Sequence, residues 1–190
     1  ARAPAARGGR GGGAPARAPR AGAPPPPPAR GLDPLALDEA ADARTPVPAL
    51  RTTARKLGRQ LLRAARATWP SAELDALAAA RPRGAHQPVV LGLTARSAGL
   101  TPLDAGYCAA YESVSGPATA VVRLLGLDPF EATAVLARLT PALDEIAVRA
   151  AAYAEQAVAE GTGALPAPSA PLLDIMAQAH AAWPVRLFAS

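Results

Sequence analysis

The stretch His86–Leu127, HQPVVLGLTARSAGLTPLDAGYCAAYESVSGPATAVVRLLGL, decides the fold. From Tyr107 to Val122 its only formal charge is Glu112. A segment so apolar is either a lipid span or a helix walled in by other helices. Pro102, Gly116 and Pro117 interrupt it, Asp104 and Arg123 bracket it, and its unbroken apolar runs fall short of the roughly 20 residues a bilayer demands. A buried core helix is therefore predicted, with Leu103, Tyr107, Tyr111 and Val114 on one face. Thr101 caps it, Pro102 takes the first helical position, and Asp104 sits favourably against the helix dipole. Arg123 follows Ala120, Val121 and Val122, so in a buried helix its guanidinium needs an acid or several carbonyls.

Composition sets the class. Of 190 residues, 50% are apolar and only 4% aromatic. Alanine dominates and the β-branched alternation of strands is nearly absent, so an all-α bundle of about seven to eight helices is expected. The net charge of +5 divides unevenly: residues 1–30 carry six Arg and no acid, which leaves 14 basic against 15 acidic residues beyond them. The domain expected over 31–190 is thus not basic. Residues 1–30 also contain no Leu, Ile, Val or aromatic residue and five consecutive prolines at 24–28. They can bury nothing, and a disordered arm is expected, either solvated or directed at nucleic acid or acidic surfaces. One Cys excludes an internal disulfide framework and suits a reducing compartment. No apolar signal region opens the sequence, so a cytoplasmic protein is expected.

In chain order, Asp33 and Pro34 open a short helix to about Ala43, and Pro46 and Pro48 stop it. The most regular amphipathic helix follows. Leu50, Ala54, Leu57, Leu61 and Ala65 form its apolar stripe, while Arg51, Arg55, Lys56, Arg59, Arg63 and Arg66 make the opposite face basic. That face is either solvated or meets an acidic partner; protein is favoured over nucleic acid because no aromatic residue is interleaved to stack bases. Ser71 caps a helix to about Ala80. His86 has no second ligand beside it and reads as a capping or packing residue. A helix from Pro88 closes at Gly99. Asp128, Pro129 and Glu131 signal one helix start, and Thr140, Pro141, Asp144 and Glu145 a second, whose expected buried face is Leu143, Ile146, Ala150, Tyr153 and Ala157. Gly161–Ala170 reads as a flexible linker, and Pro171 to about Ala182 as the last helix.

No enzymatic motif assembles: there is no GxxxxGK[ST], HExxH or GxSxG, and no cysteine pair. One Cys, two His and one Met spread over the chain give no self-contained transition-metal site. From the residues alone, an interaction protein is expected, either the ligand-binding or dimerisation domain of a helical regulator or a basic-tailed nucleic-acid binder.

From about Leu32 to Ser190 the chain resembles the UreF family of urease accessory proteins. The resemblance is carried by LDEAADARTP at 37–46, LRTTARKLGRQLLRAARATWP at 50–70, RGAHQPVV at 83–90, AVVRL at 120–124 and PLLDIMAQAHAAWPVRLFAS at 171–190. The last two are similar to the family's SAAVRL segment and its terminal H…RLFRS. Two departures stand out: the family's PLGQTDGQ reads GLDPFEAT at 126–133, and Ala189 replaces the Arg of RLFRS. The family's early PTGGF and GLE segments are replaced by the low-complexity arm. The resemblance implies an all-helical protein that is not an enzyme and holds no stable cofactor. It would bridge a UreD/UreH-type scaffold and the UreG-type GTPase, usually as a dimer, while nickel and GTP reside on its partners and nickel passes to apo-urease.

The ending Arg186–Ser190 is the sharpest interface candidate. Leu187 and Phe188 are too apolar for a free chain end, Arg186 offers a fork for a carboxylate, and by resemblance Ser190 closes the motif with His180 nearby. With Arg55, Arg59, Arg63 and Arg123, these residues make up the expected partner-binding set.

Overall fold

The structure, a computed structural model, describes residues 31–184; the arm expected over 1–30 and the ending Arg186–Ser190 lie outside the described residues. Among the described residues there are seven α-helices and no strand: α1 Pro34–Ala43, α2 Pro48–Thr68, α3 Ala72–Ala80, α4 Gln87–Ser97, α5 Pro102–Leu125, α6 Pro129–Glu160 and α7 Pro171–Ala181. The all-α expectation holds, and most boundaries fall where the local chemistry set them. Asp33 caps α1 by accepting from the Leu35 amide, and Ser71 caps α3 from the Leu74 amide. At α5, Thr101 and Asp104 form a reciprocal capping box. Gly99, Gly126 and Gly161 follow α4, α5 and α6 with positive φ.

The core sits where α2, α3 and α4 meet. Leu62, Ala65, Leu74, Leu77, Ala85, Val90 and Leu93 form one buried cluster. The approach of α2 to α4 depends on Gly58: a Cβ there would overlap the Ala85 carbonyl oxygen and reach within 3.0 Å of the Gln87 amide. Gly84 crosses beside it with φ +102°, and a Cβ on it would run into the Arg55 carbonyl. Neither position admits a side chain, for steric reasons at one and both steric and torsional reasons at the other.

Helices α5 and α6 form an antiparallel hairpin joined at Gly126–Asp128, and α5 also touches α4. The hairpin seam is built of small residues, with Gly106 against Ala147 and with Ala110 and Ala147 buried. Here the expectation of a buried central helix is overturned: Ala110 is the one buried residue of α5, while Tyr107, Tyr111, Val121, Leu124 and Leu125 are exposed. A two-helix hairpin buries one narrow seam per helix, so an all-round apolar helix keeps its outer faces in water unless other elements cover them. Arg123 is accordingly exposed and has no acid partner among the described residues, instead of sitting in a buried site.

Three further expectations fail in whole or in part. The two helices read on either side of Pro141 are the single α6, which runs straight through that proline. Pro141 costs one backbone bond, but half-buried Leu136 and Leu143 continue the inward face on both sides of it. The expected inward face of α6 holds only at its ends: Leu143 is half-buried and Ala157 fully buried, but Ile146, Ala150 and Tyr153 are exposed and Ala147 is buried in their place. The first half of the supposed flexible linker is tied down. It opens with a 3-10 turn at Thr162–Ala164, and Arg44, which follows α1, donates to the carbonyls of Thr162 (2.8 Å), Leu165 (3.0 Å) and Pro166 (3.3 Å).

Replacing a helical glycine with alanine ordinarily stabilises by about 0.5–1 kcal/mol. Gly58→Ala is expected to do the reverse, lowering the melting temperature in thermal denaturation by at least as much as a large-to-small change at Leu62, because the α2–α4 backbones must separate.

Candidate partner-binding surfaces

The amphipathic pattern of α2 places its arginines on the side away from the core, but they do not share one environment. Arg55 is drawn into an ion-pair network. Its Nη2 donates to Asp42 Oδ1 at 2.8 Å, and its Nη1 donates to Asp38 Oδ2 at 3.2 Å and to the Gly84 carbonyl at 3.0 Å. Asp38 is fully buried and accepts in addition from Arg81 Nε at 2.7 Å and from the His86 backbone amide at 2.7 Å. The His86 ring is buried and its Nε2 lies 3.0 Å from Asp42 Oδ1. His86 is thus a packing residue that also precedes α4, as the sequence indicates.

Burial pushes the Asp38 carboxyl up, but the His86 amide, Arg81 and Arg55 together hold it below the ordinary aspartate value. At Asp42 the bonds from His86 and Arg55 lower the carboxyl to about 2. Arg55, one of the expected partner residues, therefore has a structural assignment. Its guanidinium is shared among two acids and a carbonyl instead of standing on a free basic face.

Arg59 and Arg63 keep the expected exposure, and neither has an acid partner among the described residues. They line two adjoining clefts between α2 and the loop after α3, about 870 Å³ and 470 Å³ in volume. Arg59, Arg81 and Pro82 belong to both. Arg66 pairs with Asp75 at 2.6 Å, and Arg96 pairs with Glu73. Arg123 lies far along α5, in a shallow depression with Ser115, Gly116, Thr119 and Ala120. His180 stacks edge-on against Trp183 at 5.0 Å and borders a cleft shared with the first turns of α2. The structure thus separates the expected set into the α2 face, the α5 depression and the α7 end; Arg186, Leu187, Phe188 and Ser190 fall outside the described residues.

Apolar surface is the other feature. Phe130 is 83% exposed at the hairpin tip, beside Leu125 and Leu127. On α7, Leu172, Leu173, Ile175 and Met176 are all exposed, at 60% or more. Among the described residues no group of three or more His, Cys, Asp or Glu side chains is placed to hold a metal, and no helix is long and apolar enough to cross a membrane.

Residues 25–140 match the model of the UreF family. The chain belongs to the UreF family. The match spans α1 to α5, and so includes the whole Asp38 network and both basic clefts of this UreF-family chain. Among its relatives, the urease accessory protein UreF of Mycobacterium sp. (strain JLS) is 42% identical over 155 residues, covering 82% of this chain and 66% of that protein. The protein of the same name from Mycobacterium marinum is 43% identical over 159 residues, covering 84% and 68%. That of Mycobacterium tuberculosis (strain ATCC 25618 / H37Rv) is 39% identical over 149 residues, covering 77% and 64%. The chain spans about two thirds of the length of the curated relatives it matches. No solved structure matches it.

Asp38, Asp42, Arg81 and Arg83 are the site residues that the sequence alone did not single out. The signal was present: Asp38 and Asp42 are four residues apart on a ten-residue helix, hence on one face, and the RPRG loop supplies cations without acids. What was missing was the long-range pairing, 43 residues in sequence from Asp38 to Arg81.

Asp38→Ala leaves Arg55 and Arg81 without their shared buried acceptor and should cost about 3 kcal/mol in denaturant unfolding. The network also sets the acid limb of stability. Both carboxyls titrate lower in the folded chain than unfolded, so their contribution stands in full above the ordinary aspartate value of 3.8 and drains away as pH falls toward about 2. Unfolding midpoints measured between pH 6 and 2 should fall through that window, and Asp42→Asn should flatten the fall.

Proposed function

We propose that this protein is a urease accessory protein, a non-catalytic adaptor that bridges a UreD/UreH-type scaffold and a UreG-type GTPase so that nickel reaches apo-urease. The observation that carries the reading is the outward apolar surface of α5, α6 and α7. Large exposed apolar areas mark surfaces that other proteins cover. Family membership and the relatives' names say which process those proteins serve, and favour this reading over a helical regulator or a nucleic-acid-binding protein. Nickel is cargo in this scheme, and nickel and GTP are held on the partners. The adaptor would act as a homodimer in the cytoplasm.

The tail Arg186–Ser190, with His180, is the proposed contact to the scaffold; Arg123 is a further exposed cation available to a partner. When the tagged chain is co-expressed with the scaffold, the GTPase and urease, it should co-purify with the first two. Deleting residues 186–190 should abolish scaffold capture and urease activation while the circular dichroism and melting temperature stay unchanged. A truncated chain that unfolds, or captures the scaffold at full strength, assigns the tail elsewhere.

A further inference from the structure

We propose that the two adjoining clefts on α2 form one groove that binds an extended acidic polypeptide segment of a partner protein. This deepens the adaptor reading by giving one of its surfaces a ligand chemistry, and rests on it.

Charge is the first argument. The clefts are lined by Arg55, Lys56, Arg59, Arg81 and Arg83 in one and by Arg59, Arg63, Arg66 and Arg81 in the other, and the one acid in either lining is Asp42. Asp42 is already engaged by Arg55 and His86, and Arg66 by Asp75. Arg59, Arg63 and Arg83 are exposed with no acid partner among the described residues; Arg83 lines the first cleft, Arg63 the second and Arg59 both. Beneath them, Arg55 and Arg81 are fixed by Asp38, so the cationic floor is organised before any ligand arrives.

Spacing is the second. Arg59 and Arg63 are four residues apart on a helix, an axial rise of about 6 Å. In an extended chain, alternate side chains share a face and repeat at about 6.6 Å. Acidic residues at every second position of a strand-like segment therefore meet successive arginines, whose planar forks suit carboxylates. The third argument is the wall. Leu62, Ala78, Ala80 and Pro82 line the groove between the cations, and no aromatic ring is present to stack a base. Small aliphatic contacts between charges fit a peptide.

The test uses the purified full chain and a fluorescent octapeptide of alternating Glu and Ala, read by anisotropy at low salt. Binding is expected, weakened about tenfold or more by Arg59→Glu combined with Arg63→Glu, and weakened also by Arg83→Ala, with helicity and melting temperature unchanged. Arg138→Glu with Arg149→Glu, on the exposed face of α6 outside the groove, should leave affinity unaltered. Residues 1–30 are present in every variant, so their six arginines cancel from the comparison. Equal losses from the groove and α6 variants overturn the proposal, as does no detectable peptide binding. Tighter binding of a single-stranded DNA octamer through the same arginines also overturns it, in favour of a nucleic-acid groove. Because no scaffold or GTPase is present, failure here is distinct from failure of co-purification.

Discussion

One buried carboxylate organises the N-terminal half of the domain. Asp38 projects from α1 into the space between α2 and the loop entering α4, where it accepts from Arg55, Arg81 and the His86 amide. A buried charge is costly unless every lone pair is used, and a near miss in geometry leaves the cost uncompensated. That makes the arrangement specific: α1 can dock in one register, with Asp42 one turn on to complete the pairing of Arg55 and His86. The same loop can reach Asp38 only because Gly84 takes a positive φ and Gly58 lets the loop backbone pass close to α2.

Close backbone approach recurs in the α5–α6 hairpin, where Gly106 meets Ala147. Small residues bring helices near, but they bury little apolar area per residue. Most of the large side chains of those helices are consequently exposed, as are Leu172, Leu173, Ile175 and Met176 of α7. Among the described residues, large apolar side chains outnumber the places provided to bury them, which is the physical content of the adaptor reading. The described residues thus divide into a satisfied polar and apolar core under α2–α4 and an exposed apolar surface on α5–α7.

The basic face of α2 shows how one sequence pattern serves two purposes. Arg55 is recruited inward by two aspartates, while Arg59 and Arg63, one and two turns along, stay in water. The inward pairing holds the loop carrying Arg81 and Arg83 against α2, and so forms the groove that the outward arginines line. A fold-stabilising network therefore doubles as the floor of a surface with unmatched positive charge.

Local chemistry determined most of the secondary structure by itself. Asp33, Ser71, Thr101 and Asp128 end the preceding segments and start helices by accepting from backbone amides, and Gly99, Gly126 and Gly161 end them with positive φ. These are interactions within a few residues, and the sequence order of residues carries them. Motif order across the chain likewise pointed to the UreF family. What local chemistry did not determine was burial. An apolar helix such as α5 reads as core only if the chain supplies neighbours on all sides, and whether it does is a property of packing between distant segments. Pro141 reads as a helix start in isolation, yet inward-facing residues on both sides of it carry α6 through. Arg55 and Arg59 are equivalent on a helical wheel. The tertiary structure alone separates them, because it brings Asp38 and Asp42 to one and leaves the other facing solvent.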